Sequence, residues 1–114
     1  MPPPPVDQLP LGVPVFHILL SLIDDDLHGY ALIKEIEART GGEVRLTAST
    51  LYGAVARMLD AGLIDECDPD PEQARRRSYR ITRAGRILVR AEAERLARAA
   101  AWARDKRLLT RAPR

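Results

Sequence analysis

The chain has 114 residues, one cysteine and a formal net charge of +2. This length allows one small domain, whose core would be marginal without a partner. No apolar run approaches the roughly 18 residues of a membrane span, and the first residues lack a signal-peptide pattern, so we expect a cytoplasmic protein without a membrane partner. We interpret the single thiol, Cys67, as a small strand residue in a reducing compartment, because it has no second cysteine to pair with.

The first segment with a helical pattern follows a proline-rich start. Residues 1–9 include four prolines in succession, and we expect them to form a disordered or polyproline II tail. A helix is predicted over about Leu11–Ile23, with Pro14 tolerated near its first turn. Its apolar residues surround the axis instead of lining one side, so more than one face must be covered. One small domain cannot easily do that, which predicts a partner surface.

A turn and a second helix come next. The turn contains Asp24, Asp25 and Asp26, but three adjacent carboxylates cannot easily converge on one ion, and no spaced ligand completes a set. We therefore predict no metal site and no cofactor. The second helix is predicted over about Gly29–Thr40, where two consecutive glycines end it.

The stretch over residues 46–64 predicts a short helix with two different faces. One face is an apolar stripe at helical spacing, formed by Leu51, Val55, Met58 and Leu59. Thr47 is placed to cap the start of this helix, and Gly62 is placed to end it. The opposite face carries small or hydrogen-bonding residues, namely Ser49, Thr50, Gly53 and Arg57. Such a helix can enter a DNA major groove, although an ordinary amphipathic surface helix is an equal alternative on this segment alone.

A hairpin with a basic tip follows this helix. A strand is predicted at Leu63–Asp68, a loop at Pro69–Ala74 and a second strand at Ser78–Ile81, where apolar and polar residues alternate. Three consecutive arginines, Arg75–Arg77, precede the second strand. A hairpin directly after a candidate recognition helix predicts a winged helix-turn-helix, in which the helix reads base edges and the guanidiniums bind phosphates.

The charge is distributed very unevenly along the chain. Residues 1–74 contain 4 Lys and Arg against 13 Asp and Glu, a balance of −9, whereas residues 75–114 contain 14 against 3, a balance of +11. The basic half begins at the predicted wing, and its field would draw the wing toward a polyanion. We interpret the arginines further along, from Arg90 to Arg107, as a solvated helix face.

The last predicted element is a long helix from its N-cap, Thr82, to about Leu109, followed by a disordered tail over residues 110–114. Successive spacings of 4, 3, 4 and 3 define a coiled-coil-like seam formed by Val89, Ala93, Leu96, Ala100 and Ala103. This seam and the surplus apolar face of the first helix make a natural pair across a two-fold axis. We therefore expect a homodimer.

Four fragments with a distinctive sequence occur in register along the chain, namely Leu27–Tyr30, Ser49–Met58, Ala61–Ile64 and Arg77–Arg86. Their order and spacing resemble those of the PadR family of bacterial transcriptional regulators. The single long helix after the wing is similar to that of the short PadR subfamily. The resemblance implies a homodimer that binds double-stranded DNA, with repression as the default activity. It also implies a phosphate contact for Tyr52.

We therefore predict a mainly α fold with a small β-hairpin. A winged helix-turn-helix would occupy residues 10–81, and a dimerisation helix would occupy residues 82–109. The expected DNA-binding residues are Ser49, Thr50, Tyr52, Gly53, Arg57, Arg75, Arg76 and Arg77.

Trp102, the only tryptophan, lies beside the predicted seam. In the short PadR subfamily, a tryptophan on this helix can line a cavity between subunits that accepts flat aromatic compounds, and the chain resembles that subfamily in residue type and approximate region. The corresponding effector site would consist of Phe16, Ile23, Ala99 and Trp102. The alternatives are dimer packing of Trp102 and its stacking against Arg98.

Two other classes of function can be weighed against a DNA-binding regulator. An enzyme would need a nucleophile–base pair, a glycine-rich phosphate loop or a metal-spaced set of His and Cys, and the sequence shows no such pattern. A winged helix that binds only proteins is the more serious alternative, because the fold alone does not determine the function. The arginine-rich wing beside a small, polar helix face favours DNA.

Overall fold

A computed structural model describes residues 8–67 and 77–109 of the chain. Its elements in chain order are α1 (Val13–Ser21), β1 (Leu27–His28), α2 (Gly29–Arg39), α3 (Ala48–Asp60), β2 (Ile64–Glu66), β3 (Ser78–Ile81) and α4 (Arg83–Asp105). This is the predicted order of a winged helix-turn-helix followed by a long helix. The predictions for residues 1–7 and 110–114, and for the wing tip with Arg75 and Arg76, lie outside the described residues.

The two ends of α3 form as their local sequence predicts. At the start, the Thr47 hydroxyl oxygen accepts a hydrogen bond of 3.1 Å from the backbone N–H of Thr50. At the end, Gly62 adopts a left-handed φ of +73°, and the N–H of Leu63 donates to the carbonyl of Met58 at 2.9 Å. Both signals act within a few residues of the helix end, which is why the sequence alone could place them.

The wing belongs to a three-stranded antiparallel sheet with the order β1-β3-β2. The predicted hairpin is present as β2 and β3, with Ile64 opposite Ile81. Its first strand is shorter than predicted and ends at Glu66. The two-residue strand β1, which pairs Leu27 with Tyr79, was not predicted, because so short a strand has no detectable alternation.

The hydrophobic core draws on all four helices and on the sheet. Its residues are Ile18, Leu19, Leu22, Leu32, Ile36, Leu51, Ala54, Val55, Met58, Leu63, Ile64, Tyr79, Ile81, Leu88 and Val89. On α1, which is apolar on all sides, this core leaves Val13 and Leu20 exposed. The described residues thus leave part of that helix uncovered, as its sequence predicts.

One residue of the predicted seam belongs to this core instead. Val89 is only 4% exposed within a single chain, so it packs on its own domain and is not available to a partner helix. The physical reason is that the first half of α4 lies against α1, where Leu88 and Val89 both point inward. Only the seam positions further along α4 reach the surface, and Leu96 among them is 39% exposed.

The buried side chain of Glu92 connects α4 to the segment before α1. The side chain of Glu92 is 1% exposed, and its Oε2 accepts a hydrogen bond of 2.6 Å from the backbone N–H of Leu11. Its other oxygen pairs with the Arg95 guanidinium. The hydrogen bond from Arg95 holds the pKa of Glu92 below its ordinary value, although burial acts in the opposite direction.

The end of α3 and the start of α4 are joined by a compact set of hydrogen bonds. The Thr82 hydroxyl donates to the carbonyl of Gly62 at 2.7 Å and accepts from the N–H of Gly85 at 3.1 Å. The N–H of Thr82 donates to the carbonyl of Leu63 at 3.0 Å. The predicted N-cap of α4 therefore also fixes how α4 leaves the winged domain.

Candidate nucleic-acid interface

The outer face of α3 is the centre of the candidate interface. Its inner face is buried through Leu51, Ala54, Val55 and Met58. Four of the residues predicted to contact DNA are exposed, namely Ser49, Thr50, Tyr52 and Arg57. A helix with this division of faces is held firmly by the core while it presents hydroxyl groups and a cation outward.

The first turn of α3 carries a small cluster of hydroxyl groups. The Thr47 hydroxyl, which caps the helix, donates to the Thr50 hydroxyl oxygen at 3.0 Å. A hydroxyl that accepts one hydrogen bond keeps its own hydrogen for a further acceptor, such as a base edge or a phosphate oxygen. Thr50 is therefore held in place by the cap without losing its donor, and Ser49 is exposed beside it.

Tyr52 lies where α3, the start of α2 and the sheet meet. Its ring is 48% exposed and lies against the backbone of Gly29, the first residue of α2. Burial raises the pKa of Tyr79 on β3, and the nearby Tyr52 raises it further. At the same corner the ring of His28 caps α2 by accepting a hydrogen bond of 3.2 Å from the N–H of Ala31.

Gly53 and Arg57 lie one turn apart on the outer face of α3. A methyl carbon placed on Gly53 would lie 3.6 Å from Nη1 of Arg57, which is ordinary contact. The Arg57 guanidinium therefore lies over Gly53. The helix surface at this point is covered by a positively charged side chain that can move. Its position in the last turn also suits the negative end of the helix dipole.

Exposed arginines lie before, within and after the wing strand β3. Arg77 is exposed, and its Nη1 pairs with Glu66 Oε1 on the neighbouring strand at 3.3 Å. Exposed pairs of this kind contribute little, so a phosphate can replace the carboxylate. Arg80 and Arg83 are also exposed and were missed as candidates. The alternation in Ser78–Ile81 was the available signal, since it directs Arg80 away from the core.

The predicted effector residues are not brought together within one chain. Phe16 on α1 and Ile23 in the turn after α1 are half-buried, whereas Ala99 and Trp102 are exposed on the second half of α4, with Trp102 68% exposed. An open groove of about 750 Å³ lies between α1 and the first half of α4. Among the described residues, Ile23 lines this groove, together with Leu20, and the other three predicted residues do not.

Neither a metal site nor a membrane helix is found in the described parts of the chain. Within residues 8–67 and 77–109, no three His, Cys, Asp or Glu side chains are grouped as metal ligands would be. Over the same residues, no helix has the length and apolar character that crossing a membrane requires.

Comparison with known proteins identifies one family and several similar folds. The model of the transcriptional regulator PadR-like family matches residues 18–91 of this chain. A transcriptional regulator from Clostridium thermocellum is 29% identical, with a TM-score of 0.68 over 82% of this chain and 90% of that one. A PadR family transcription regulator from Clostridium difficile R20291 is 22% identical, with a TM-score of 0.69 over 82% and 97% of the two chains.

A longer relative also matches. An uncharacterised 37.1 kDa protein of transposon TN4556 from Streptomyces fradiae is 41% identical over 81 residues, which are 71% of this chain. The chain spans 22% of that relative's length.

Proposed function

Because the chain belongs to the PadR-like family of transcriptional regulators, we propose that it represses transcription by binding an inverted-repeat operator as a homodimer. The family consists of DNA-binding regulators and not of enzymes. The observation that carries the proposal is the outer face of α3, where exposed hydroxyl groups, a glycine and an arginine stand on a helix whose other face is fully buried.

In this proposal each residue of the interface has a distinct task. Ser49 and Thr50 offer hydroxyl groups to base edges or phosphates in the major groove. Tyr52 and Arg57 bind phosphates and set the orientation of the helix. Gly53 allows a close approach to the DNA. The wing adds phosphate contacts through Arg75, Arg76 and Arg77.

The homodimer is supported by apolar surface that one chain leaves uncovered. Leu96 and Trp102 on α4 and Leu20 on α1 are all exposed. Seam residues Ala93, Ala100 and Ala103 are small, so they permit close approach of a second helix. In a symmetric dimer the two α3 helices enter successive major grooves, about 34 Å apart, and the operator repeats are inverted accordingly.

An aromatic effector would act on this dimer. Trp102 offers a large rigid face for stacking, and it would form a site with Ala99 of its own helix and with Phe16 and Ile23 across the subunit boundary. The hydrogen bonds between the end of α3 and the start of α4 support coupling, since a change in the dimer angle would move both recognition helices. Titrating Trp102 fluorescence with flat aromatic dyes, with and without DNA, tests this; quenching that leaves the DNA affinity unchanged contradicts it.

Footprinting on the DNA upstream of the chain's own gene tests the proposal as a whole. The expected result is two protected stretches of inverted sequence, with centres about one helical turn apart, together with reduced transcription in vitro when the protein is added. Protection without sequence preference would contradict the operator, and binding to a protein instead of DNA would favour the interaction-module alternative.

A further inference from the structure

We propose that Gly29 is a positioning residue for DNA binding, because its missing side chain allows the Tyr52 ring to lie against the first turn of α2. The inference rests on the proposed function, in which Tyr52 contacts a phosphate. It goes further by assigning a role to a residue that lies outside the recognition helix. Gly29 itself is buried and touches no DNA in this proposal.

The space above Gly29 is filled by the end of the Tyr52 side chain. A methyl carbon placed on Gly29 would lie 2.8 Å from Cζ and 3.0 Å from Cε1 of Tyr52, and nearer still to its hydroxyl oxygen. These separations are too short for any side chain at that position. The backbone of Gly29 does not require glycine, because its φ is outside the left-handed region. Glycine is therefore needed at this position because of the limited space beside the Tyr52 ring, and not because of its backbone conformation.

A residue larger than glycine would displace the ring and not the fold. Tyr52 is about half exposed and meets Gly29 only through the far end of its side chain, so it can rotate into solvent. Its neighbours Leu51 and Val55 hold α3 in the core independently of that contact. Gly85 provides the contrast, because a methyl group there would meet the backbone carbonyl of Leu63, which cannot move aside.

The position of the Tyr52 ring matters because a hydroxyl donor that is already in place loses little conformational entropy when DNA binds. A tyrosine side chain has two rotatable bonds, and packing of the ring against Gly29 favours one arrangement of them before DNA binds. The ring also stands at a corner shared with β3, where it influences the pKa of Tyr79 after the larger effect of burial. If the ring were displaced, DNA binding would have to order its hydroxyl group, and the entropy lost in doing so would weaken the affinity for DNA.

A double-mutant cycle tests this inference on the full chain. The four proteins are the wild type, Gly29→Ala, Tyr52→Ala and the double variant, measured by fluorescence anisotropy on a 30-base-pair duplex taken from the footprinted upstream region. Gly12→Ala is the matched control, because within the described part of the chain a methyl group on Gly12 meets Cδ of Pro14 alone, at an ordinary 3.9 Å. Thermal unfolding followed by circular dichroism is recorded for all five proteins.

The expected result is that Tyr52→Ala weakens DNA binding by roughly 10-fold, through the loss of one charge-assisted hydrogen bond. Gly29→Ala should weaken it measurably but by no more than Tyr52→Ala does, because the displaced hydroxyl must be ordered when DNA binds. The double variant should bind as Tyr52→Ala does, since Gly29 acts through that ring. Gly29→Ala should unfold at the wild-type temperature, and Gly12→Ala should bind as the wild type does.

Three results would overturn the inference while leaving the proposed function intact. They are wild-type affinity in Gly29→Ala, independent and additive losses in the double variant, and loss of the folded state in Gly29→Ala. If the wild type itself shows no preference for the upstream duplex, the proposed function fails first and the role of Gly29 fails with it.

Discussion

Glycines of this chain serve different physical purposes at different positions. Gly62 is needed for its left-handed backbone, with φ at +73°, which ends α3. Gly85 is needed for space, because a methyl group there would collide with the carbonyl oxygen of Leu63 and lie 2.8 Å from Cγ1 of Ile81. Among the described residues, Gly53 has neither constraint, since its near neighbour there is the movable Arg57 guanidinium. In the proposed function, the constraint on Gly53 is the close approach of α3 to DNA.

Alanine at Gly53 and at Gly85 should therefore have opposite consequences. Gly85→Ala is expected to lower the free energy of unfolding by about 1–3 kcal/mol, because overpacking forces the start of α4 away from Leu63 and Ile81. Gly53→Ala should keep or raise stability, by up to about 1 kcal/mol, since alanine is the better helix former. It should nevertheless weaken DNA binding. Urea unfolding and anisotropy measure the two effects.

The pair is informative because each variant controls for the other. Unchanged DNA affinity in a stable Gly53→Ala would contradict the close approach of α3 to DNA. Unchanged stability in Gly85→Ala would contradict the tight joint between α4 and the end of α3.

Arg77, the predicted wing arginine that lies within the described residues, should have a measurable electrostatic effect on DNA binding. Arg77→Ala should weaken specific and non-specific duplexes by similar factors, because a phosphate contact carries no sequence information. The log–log dependence of affinity on salt should become shallower by about 1 for each phosphate that the variant no longer binds. Glu66→Gln is the matched control, since it frees Arg77 from its ion pair and should not reduce the slope. An unchanged slope in Arg77→Ala would mean that this guanidinium stays in solvent when DNA binds.

At the scale of elements, the sequence predicts what is decided locally. Thr47 and Gly62 mark the ends of α3 through hydrogen bonds that span a few residues, and both predictions are confirmed. Strand β1 could not be predicted from local sequence, because its two residues form a strand only by pairing with β3, about 50 residues further along the chain. Val89 was assigned to the dimer seam because heptad spacing cannot distinguish a partner's surface from the chain's own core.

The burial of Glu92 is a second feature that the local sequence could not predict. A glutamate in a basic helix would ordinarily be exposed, yet this one is buried and accepts a hydrogen bond from the N–H of Leu11, which is distant in sequence. Its alignment with Leu11 depends on how the segment before α1 packs. Periodicity within α4 contains no information about that packing.

Glu92→Gln should test this contact through pH. The Arg95 hydrogen bond holds the pKa of Glu92 below 4.5, so its ionised form stabilises the fold above about pH 4.5 and that contribution is lost as the pH falls through the lowered value. At pH 7 the variant should be less stable by about 1–2 kcal/mol, measured by urea unfolding. The difference from the wild type should shrink below pH 4.5. A difference that stays constant across this range would contradict an ionised Glu92 in the fold.

At the scale of the whole molecule, α4 changes character along its length. Its first half, with Leu88, Val89 and Glu92, is buried in the winged domain. Its second half, from Leu96 onward, is exposed or only partly covered within the described chain. A helix that continues beyond its own core with Leu96 and Trp102 exposed has surface to bury against a partner. The second half is therefore where the dimer is expected to form.

Deleting residues 96–114 should separate assembly from folding. The buried first half of α4 remains, so circular dichroism should show a folded winged domain, while sedimentation should show a monomer. The monomer should bind the operator far more weakly, because the two half-sites are no longer linked. Leu96→Glu in the full chain is a gentler version with the same expected direction. A stable dimer after the deletion would place the interface elsewhere.

The affinity of the full chain for its own upstream DNA, compared with a shuffled duplex of the same composition, tests the central claim most directly. The measurement is fluorescence anisotropy at one fixed, physiological salt concentration, since affinity for DNA depends steeply on salt. A sequence-reading α3 in a symmetric dimer predicts a preference for the upstream duplex of at least about 10³-fold. Equal affinity for the two duplexes would contradict sequence-specific regulation by this surface.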